Sequence, residues 1–115
     1  MPQPTEPHHT SEDTERGTLI DRASAACRDR PPLAELADLD ARLRASIAEL
    51  MPTVQQRFEQ QEKYSADWYA GNRILLDSRD ALDEPAQDGP LAAALGVAEL
   101  GRRLRDLEGY ARDAS

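Results

Sequence analysis

The chain has 115 residues, with 22 acidic side chains against 14 basic ones and 39% hydrophobic residues, 18 of which are alanine. One domain is the ceiling at this length, burying about two-thirds of the unfolded chain's surface on folding, which excludes a large multidomain enzyme. A formal charge of −8 opposes the phosphate backbone of nucleic acids, whose binding takes clustered Lys and Arg, and disfavours anionic membranes for the same reason.

Residues 1–16 hold three prolines, no aliphatic residue after Met1, and the acids Glu6, Glu12, Asp13 and Glu15. Such a composition does not offset its ordering entropy by burial, so a disordered acidic tail is expected there, followed by a single helical domain over residues 17–115. The remainder has five β-branched aliphatic residues, Ile20, Ile47, Ile74, Val54 and Val97, and no alternating strand pattern. Ala, Leu, Arg, Glu and Gln dominate, and they are helix formers. The fold expected is all-α, an antiparallel bundle of three to four helices.

A first helix is predicted to start at Thr18, with Asp21 completing a capping box, and to end before Pro31 and Pro32. The second carries the clearest stripe: Leu36, Leu39, Leu43, Ile47, Leu50, Val54 and Phe58 step by three or four residues throughout. Pro52 interrupts that run, where it removes the donor to the Ala48 carbonyl at a cost of roughly 3 kcal/mol. Either the helix kinks or Thr53 and Gln56 cap a restart, and the unbroken phase favours the kink. Tyr64, Trp68, Gly71, Leu75, Ser78 and Leu82 mark a third helix, closed by Glu84-Pro85. A fourth opens at Pro90, with Leu91, Leu95 and Ala98 on one edge and Val97, Leu100, Leu104, Leu107 and Ala111 on the next. Gly96 and Gly101 weaken that helix by about 1 kcal/mol each unless they permit close helix approach. Pairs at i and i+4 (Asp38 with Arg42, Asp40 with Arg44, Glu59 with Lys63, Glu99 with Arg103, Glu108 with Arg112) belong to solvated faces.

The longest run without a polar side chain, Leu91 to Ala98, has eight residues, whereas a bilayer span needs about 20. The first seven residues have neither the cationic nor the apolar region of a secretion signal. A single cysteine, Cys27, fits a reducing compartment, so the cytoplasm is the expected location. Thirteen arginines against one lysine, Lys63, suggest GC-rich codons and an actinobacterial origin.

Catalytic, cofactor and metal sites are expected to be absent. His8 and His9 are the two histidines, and two ligands without a third define no metal site. Cys27 lacks the nearby base that a thiolate nucleophile needs and reads as a helix residue. Glu35, Asp38 and Asp40 crowd the start of the second helix, where they favour its positive dipole end. The cluster Arg102, Arg103 and Arg105 lies within reach of Glu99, Asp106 and Glu108, which makes a salt-bridged surface. No Gly-rich phosphate loop, HExxH or paired CxxC is present. The cations Arg44, Arg57 and Lys63 fall at spacings unlike those of the small all-helical chorismate mutases, and Pro52 interrupts where that family has one long helix. Of the adjacent aromatics Trp68 and Tyr69, one is expected in the core and the other near the surface, as a contact for a partner.

Trp68-Tyr69-Ala70-Gly71 and Tyr110-Ala111-Arg112-Asp113 resemble the helical-hairpin proteins of actinobacterial type VII secretion, each motif off by one residue. That resemblance implies a hairpin with Trp68 in its turn. A longer likeness runs through Leu36, Leu39, Arg42, Leu43, Arg44, Ile47, Leu50, Pro52 and Val54, then Trp68, Arg79-Asp80-Ala81-Leu82, Pro90-Leu91-Ala92 and Leu100 to Tyr110. It is similar to a family of short Streptomyces-type helical proteins of unknown function, labelled natural product biosynthesis proteins. This chain departs from it at Gly109-Tyr110, where that family tends to have His-Tyr.

The function expected is a non-catalytic accessory or regulatory interaction module. Its working surface is an apolar strip facing solvent or a homodimer contact through the second helix. The companion expected is therefore a protein partner or a second copy, with no nucleic acid and no membrane. A type VII secretion substrate or partner is one alternative, and a small-molecule-binding helical protein or enzyme is another.

Overall fold

The stripe on the second predicted helix does what its spacing requires: Leu36, Leu39, Leu43, Ile47 and Val54 are all buried. The computed structural model describes the backbone of residues 7–112 and the side chains of residues 14–112. Four helices follow one another, α1 (Pro7–Asp29), α2 (Leu33–Glu59), α3 (Ala66–Asp83) and α4 (Pro90–Arg112), with no strand among the described residues. The fold is all-α.

Local chemistry sets most of the boundaries. α1 ends where Arg30 takes φ 50 and its N–H donates to the Ala26 carbonyl at 2.9 Å, a left-handed cap that Pro31 and Pro32 then seal. Ser65 caps α3, its hydroxyl accepting from the Trp68 N–H at 3.2 Å. Tyr64 therefore lies in the preceding turn, with φ 68, and not on the helix as its spacing suggests. Pro90 opens α4 as expected.

One expectation needs correcting. α1 does not wait for Thr18: that hydroxyl donates to the Thr14 carbonyl inside the helix, and Arg16 reaches Glu108 of α4 at 2.6 Å. A side chain tied to the bundle gives residues 14–16 a reason to be helical that tail composition hides. The rest of the expected tail falls on residues 1–6 and on the side chains of 7–13, which lie outside the described residues. α2 neither stops nor restarts at Pro52, which sits inside it. Pro52 and Ala48 are both exposed, so water can take the carbonyl that proline leaves without a donor.

The helices alternate in direction. Arg16 with Glu108 and Ala23 beside Gly101 run α1 antiparallel to α4. Arg44 with Leu82 and Arg79 with Gln55 do the same for α2 and α3, as do Asp77 with Arg103 and Asp67 with Tyr110 for α3 and α4. α2 and α4, parallel to each other, form the central contact, while α1 and α3 do not touch. The section is thus a squashed rhombus with α2 and α4 on its short diagonal. The α2 stripe is covered inside the chain, mainly by Val97, Leu100, Leu104 and Leu107 of α4, all buried. Burying each such leucine stabilises the fold by about 1.5–3 kcal/mol.

Candidate functional site

α4 meets its neighbours differently at its two ends. Toward its C-terminus, a Cβ on Gly101 would lie 2.5 Å from the Ala23 Cβ, so this glycine lets α1 approach closely. Gly71 of α3 similarly makes room for the Tyr110 ring and Phe58, 2.5 Å and 2.9 Å from where its Cβ would be. The Tyr110 hydroxyl donates to the Asp67 carbonyl at 2.9 Å, and the Arg57 guanidinium lies 4.4 Å above the Tyr110 ring. Around this corner Trp68 meets Tyr64 and Tyr69 edge to face and Phe58 at a tilt, with neighbouring centroids 5.1–5.4 Å apart. Rings that close pack against each other.

Near its N-terminus α4 draws away from α2 and α3. A groove of about 280 Å³ opens there, walled by Leu33, Leu36 and Ala37 of α2, Ala81 at the end of α3, the Glu84–Asp88 loop, and Ala93, Gly96 and Leu100 of α4. Most of those side chains are small and apolar, and a Cβ on Gly96 would meet nothing within 4 Å. Five charged residues line it, Asp40, Arg44, Glu84, Asp88 and Glu99, of which Asp40 and Arg44 are engaged with each other. Arg44 Nε donates to Asp40 Oδ1 at 2.7 Å, while Nη1 and Nη2 donate to the carbonyls of Leu82 and Glu84 at 2.9 Å and 2.6 Å. Arg44 thereby clamps the last turn of α3 and holds the loop that forms the rim. The sequence shows only the Asp40–Arg44 surface pair.

Apolar side chains are exposed at this end of the domain. Leu33 is 48% exposed, and Leu91 and Leu95 on the first turns of α4 are 63% and 54% exposed. The wide stripe expected on α4 is therefore only half used: Val97, Leu100, Leu104 and Leu107 enter the core, whereas the Leu91–Leu95 edge faces out. The groove itself offers apolar contact from Leu33, Leu36, Ala37, Ala81 and Ala93, with carboxylates of Glu84, Asp88 and Glu99 along its lining.

The other candidate residues are dispersed. The side chains of His8 and His9 lie outside the described residues. Cys27 is half-buried against Pro31, Pro90 and Leu91, and no group of three His, Cys, Asp or Glu placed to hold a metal exists among the described residues. Glu35 pairs with Arg22 at 3.1 Å and Asp38 with Arg42 at 3.0 Å. Arg102 pairs with Glu99 at 3.2 Å, and Arg105 donates to Ser24 Oγ. Arg103 sits among Asp77, Glu99 and Asp106 at 3.2–3.5 Å and ties α3 to α4, so this arginine cluster belongs to the protein's own carboxylates. Glu59 closes α2, which leaves Lys63 in the turn beyond the expected i,i+4 pair. Trp68 is half-buried and Tyr69 exposed. No helix among the described residues is long and apolar enough to cross a membrane.

No curated protein and no solved structure matches the chain. Residues 17–115 match the Family of unknown function (DUF6415), and the chain belongs to that family.

Proposed function

We propose that this chain is a non-catalytic interaction module whose working surface is the groove and the exposed leucines around the start of α4. The observation that carries the reading is apolar surface exposed at one end of the domain: Leu33 on the wall of the groove, and Leu91 and Leu95 on the first turns of α4. Apolar surface kept at one end of a small domain favours contact with a partner. A reaction needs a polar group aimed at the bound atoms, and here the guanidinium is turned to the end of α3.

We take the module to act in the cytoplasm as an accessory or regulatory protein. The setting proposed is the one its sequence resemblance implies, actinobacterial natural product biosynthesis. The secretion-hairpin alternative asks for Trp68 in a turn, whereas its N–H is held by the Ser65 cap at the head of α3.

Tagged co-purification from the native organism tests the reading, with mass spectrometry of the proteins and small molecules that come off. A stoichiometric protein partner is expected with the wild-type chain and is lost with Leu91→Gln/Leu95→Gln. A chain that carries a metabolite and no protein contradicts the proposal and favours a small-molecule binder.

A further inference from the structure

We infer that the groove between α2, the α3–α4 loop and α4 takes the apolar face of a basic amphipathic helix from a partner protein. This rests on the interaction-module reading above and names the partner's chemistry. The argument combines shape with charge. Ala37, Ala81, Ala93 and Gly96 keep the floor low, so the bulk that fills it belongs to the partner. From Ala93 to Leu100 the α4 wall is about 10 Å long, or two helical turns, which suits anchors spaced i and i+4.

The rim supplies the sign. Asp80, Asp83, Glu84 and Asp88 are exposed on the end of α3 and the loop after it, where Arg79 is the one cation, already bonded to Gln55. Glu84 and Asp88, with Glu99 of α4, line the groove, and carboxylates beside an apolar floor attract Lys or Arg flanking a bulky apolar residue and steer its approach. A second copy fits poorly, because each chain carries −8 and a two-fold contact through this patch sets the acidic rims against each other. A small amine would use the same carboxylates, Glu84 and Asp88, without filling the apolar floor.

The experiment is an NMR titration of the 15N-labelled full chain with two 14-residue peptides of equal leucine and lysine content. One has its leucines in a single helical stripe and the other has them scrambled. The striped peptide is expected to shift the amides of Ala37, Ala86, Ala93 and Gly96 and to bind at least tenfold more tightly than the scrambled one. Gly96→Leu fills the groove from an open position, so it keeps the fold and weakens binding tenfold or more. Glu84→Lys/Asp88→Lys weakens it similarly. Equal affinity for both peptides, indifference to Gly96→Leu, or shifts centred on Tyr64 and Tyr69 overturn the inference. So does phenethylamine saturating the groove where the striped peptide fails. The two readings fail separately: a co-purified protein whose capture survives Gly96→Leu removes the groove and keeps the module. Groove binding as expected with no protein captured from the native organism removes the module.

Discussion

The two halves of α4 use similar residues in different surroundings. From Gly101 onward every apolar position of the stripe has a neighbour: Ala23 lies against Gly101, Leu104 and Leu107 are fully enclosed, and Tyr110 is fixed by Asp67, Gly71 and Arg57. Before Gly101 the same helix leaves Leu91 and Leu95 in solvent and turns Gly96 to an empty groove. Leu104 and Leu107 therefore contribute to folding, as Leu100 does, whereas Leu91 and Leu95 contribute little to it. The difference lies in which face of α4 each residue occupies, since α1, α2 and α3 all pack on α4 while the Leu91–Leu95 edge points away from the core.

Substitutions that treat the halves alike are the sharpest way to break this contrast. Leu104→Ala removes a fully buried side chain and is expected to cost about 2–5 kcal/mol in denaturant unfolding, whereas Leu95→Ala should stay within about 0.5 kcal/mol. Equal effects at the two positions would mean that the Leu91–Leu95 edge is covered in solution. Next in size, Tyr110→Phe deletes the donor to the Asp67 carbonyl while keeping the ring under Arg57. About 1 kcal/mol of stability is expected to go with it, read from the urea midpoint at unchanged slope. The smallest effect belongs to Ser78, fully buried on α3 with no partner for its hydroxyl. Ser78→Ala should leave thermal stability unchanged or slightly raised, because it removes a desolvated polar group that returns no hydrogen bond. A marked loss there would reveal a bond made by that hydroxyl in solution.

The α2 stripe was legible because five buried residues in one phase need no knowledge of the neighbouring helices. The helix stops at Pro31 and Glu84-Pro85 were legible for a similar reason, since they act within a few residues. What the sequence concealed depends on distant partners. Nothing local distinguishes Leu95 from Leu104, or Gly96 from Gly101, until α1 is placed. Arg44 reads as half of a surface pair with Asp40, and its grip on the carbonyls of Leu82 and Glu84 lies 38 and 40 residues away. Arg16 looks like part of a tail for the same reason, its partner Glu108 being 92 residues off. The groove was thus invisible as a site.

The most direct test of an α4 closed at one end and open at the other is the pair Gly96→Ala and Gly101→Ala, compared by urea denaturation. Alanine improves helix propensity by about 1 kcal/mol at either position. At Gly96 nothing opposes the gain, so the midpoint should rise. At Gly101 the new methyl meets Ala23 at 2.5 Å, and overpacking of about 1–3 kcal/mol outweighs the gain, so the midpoint should fall. Opposite signs are the result predicted, and a rise at both positions, or a fall at Gly96, would contradict the account.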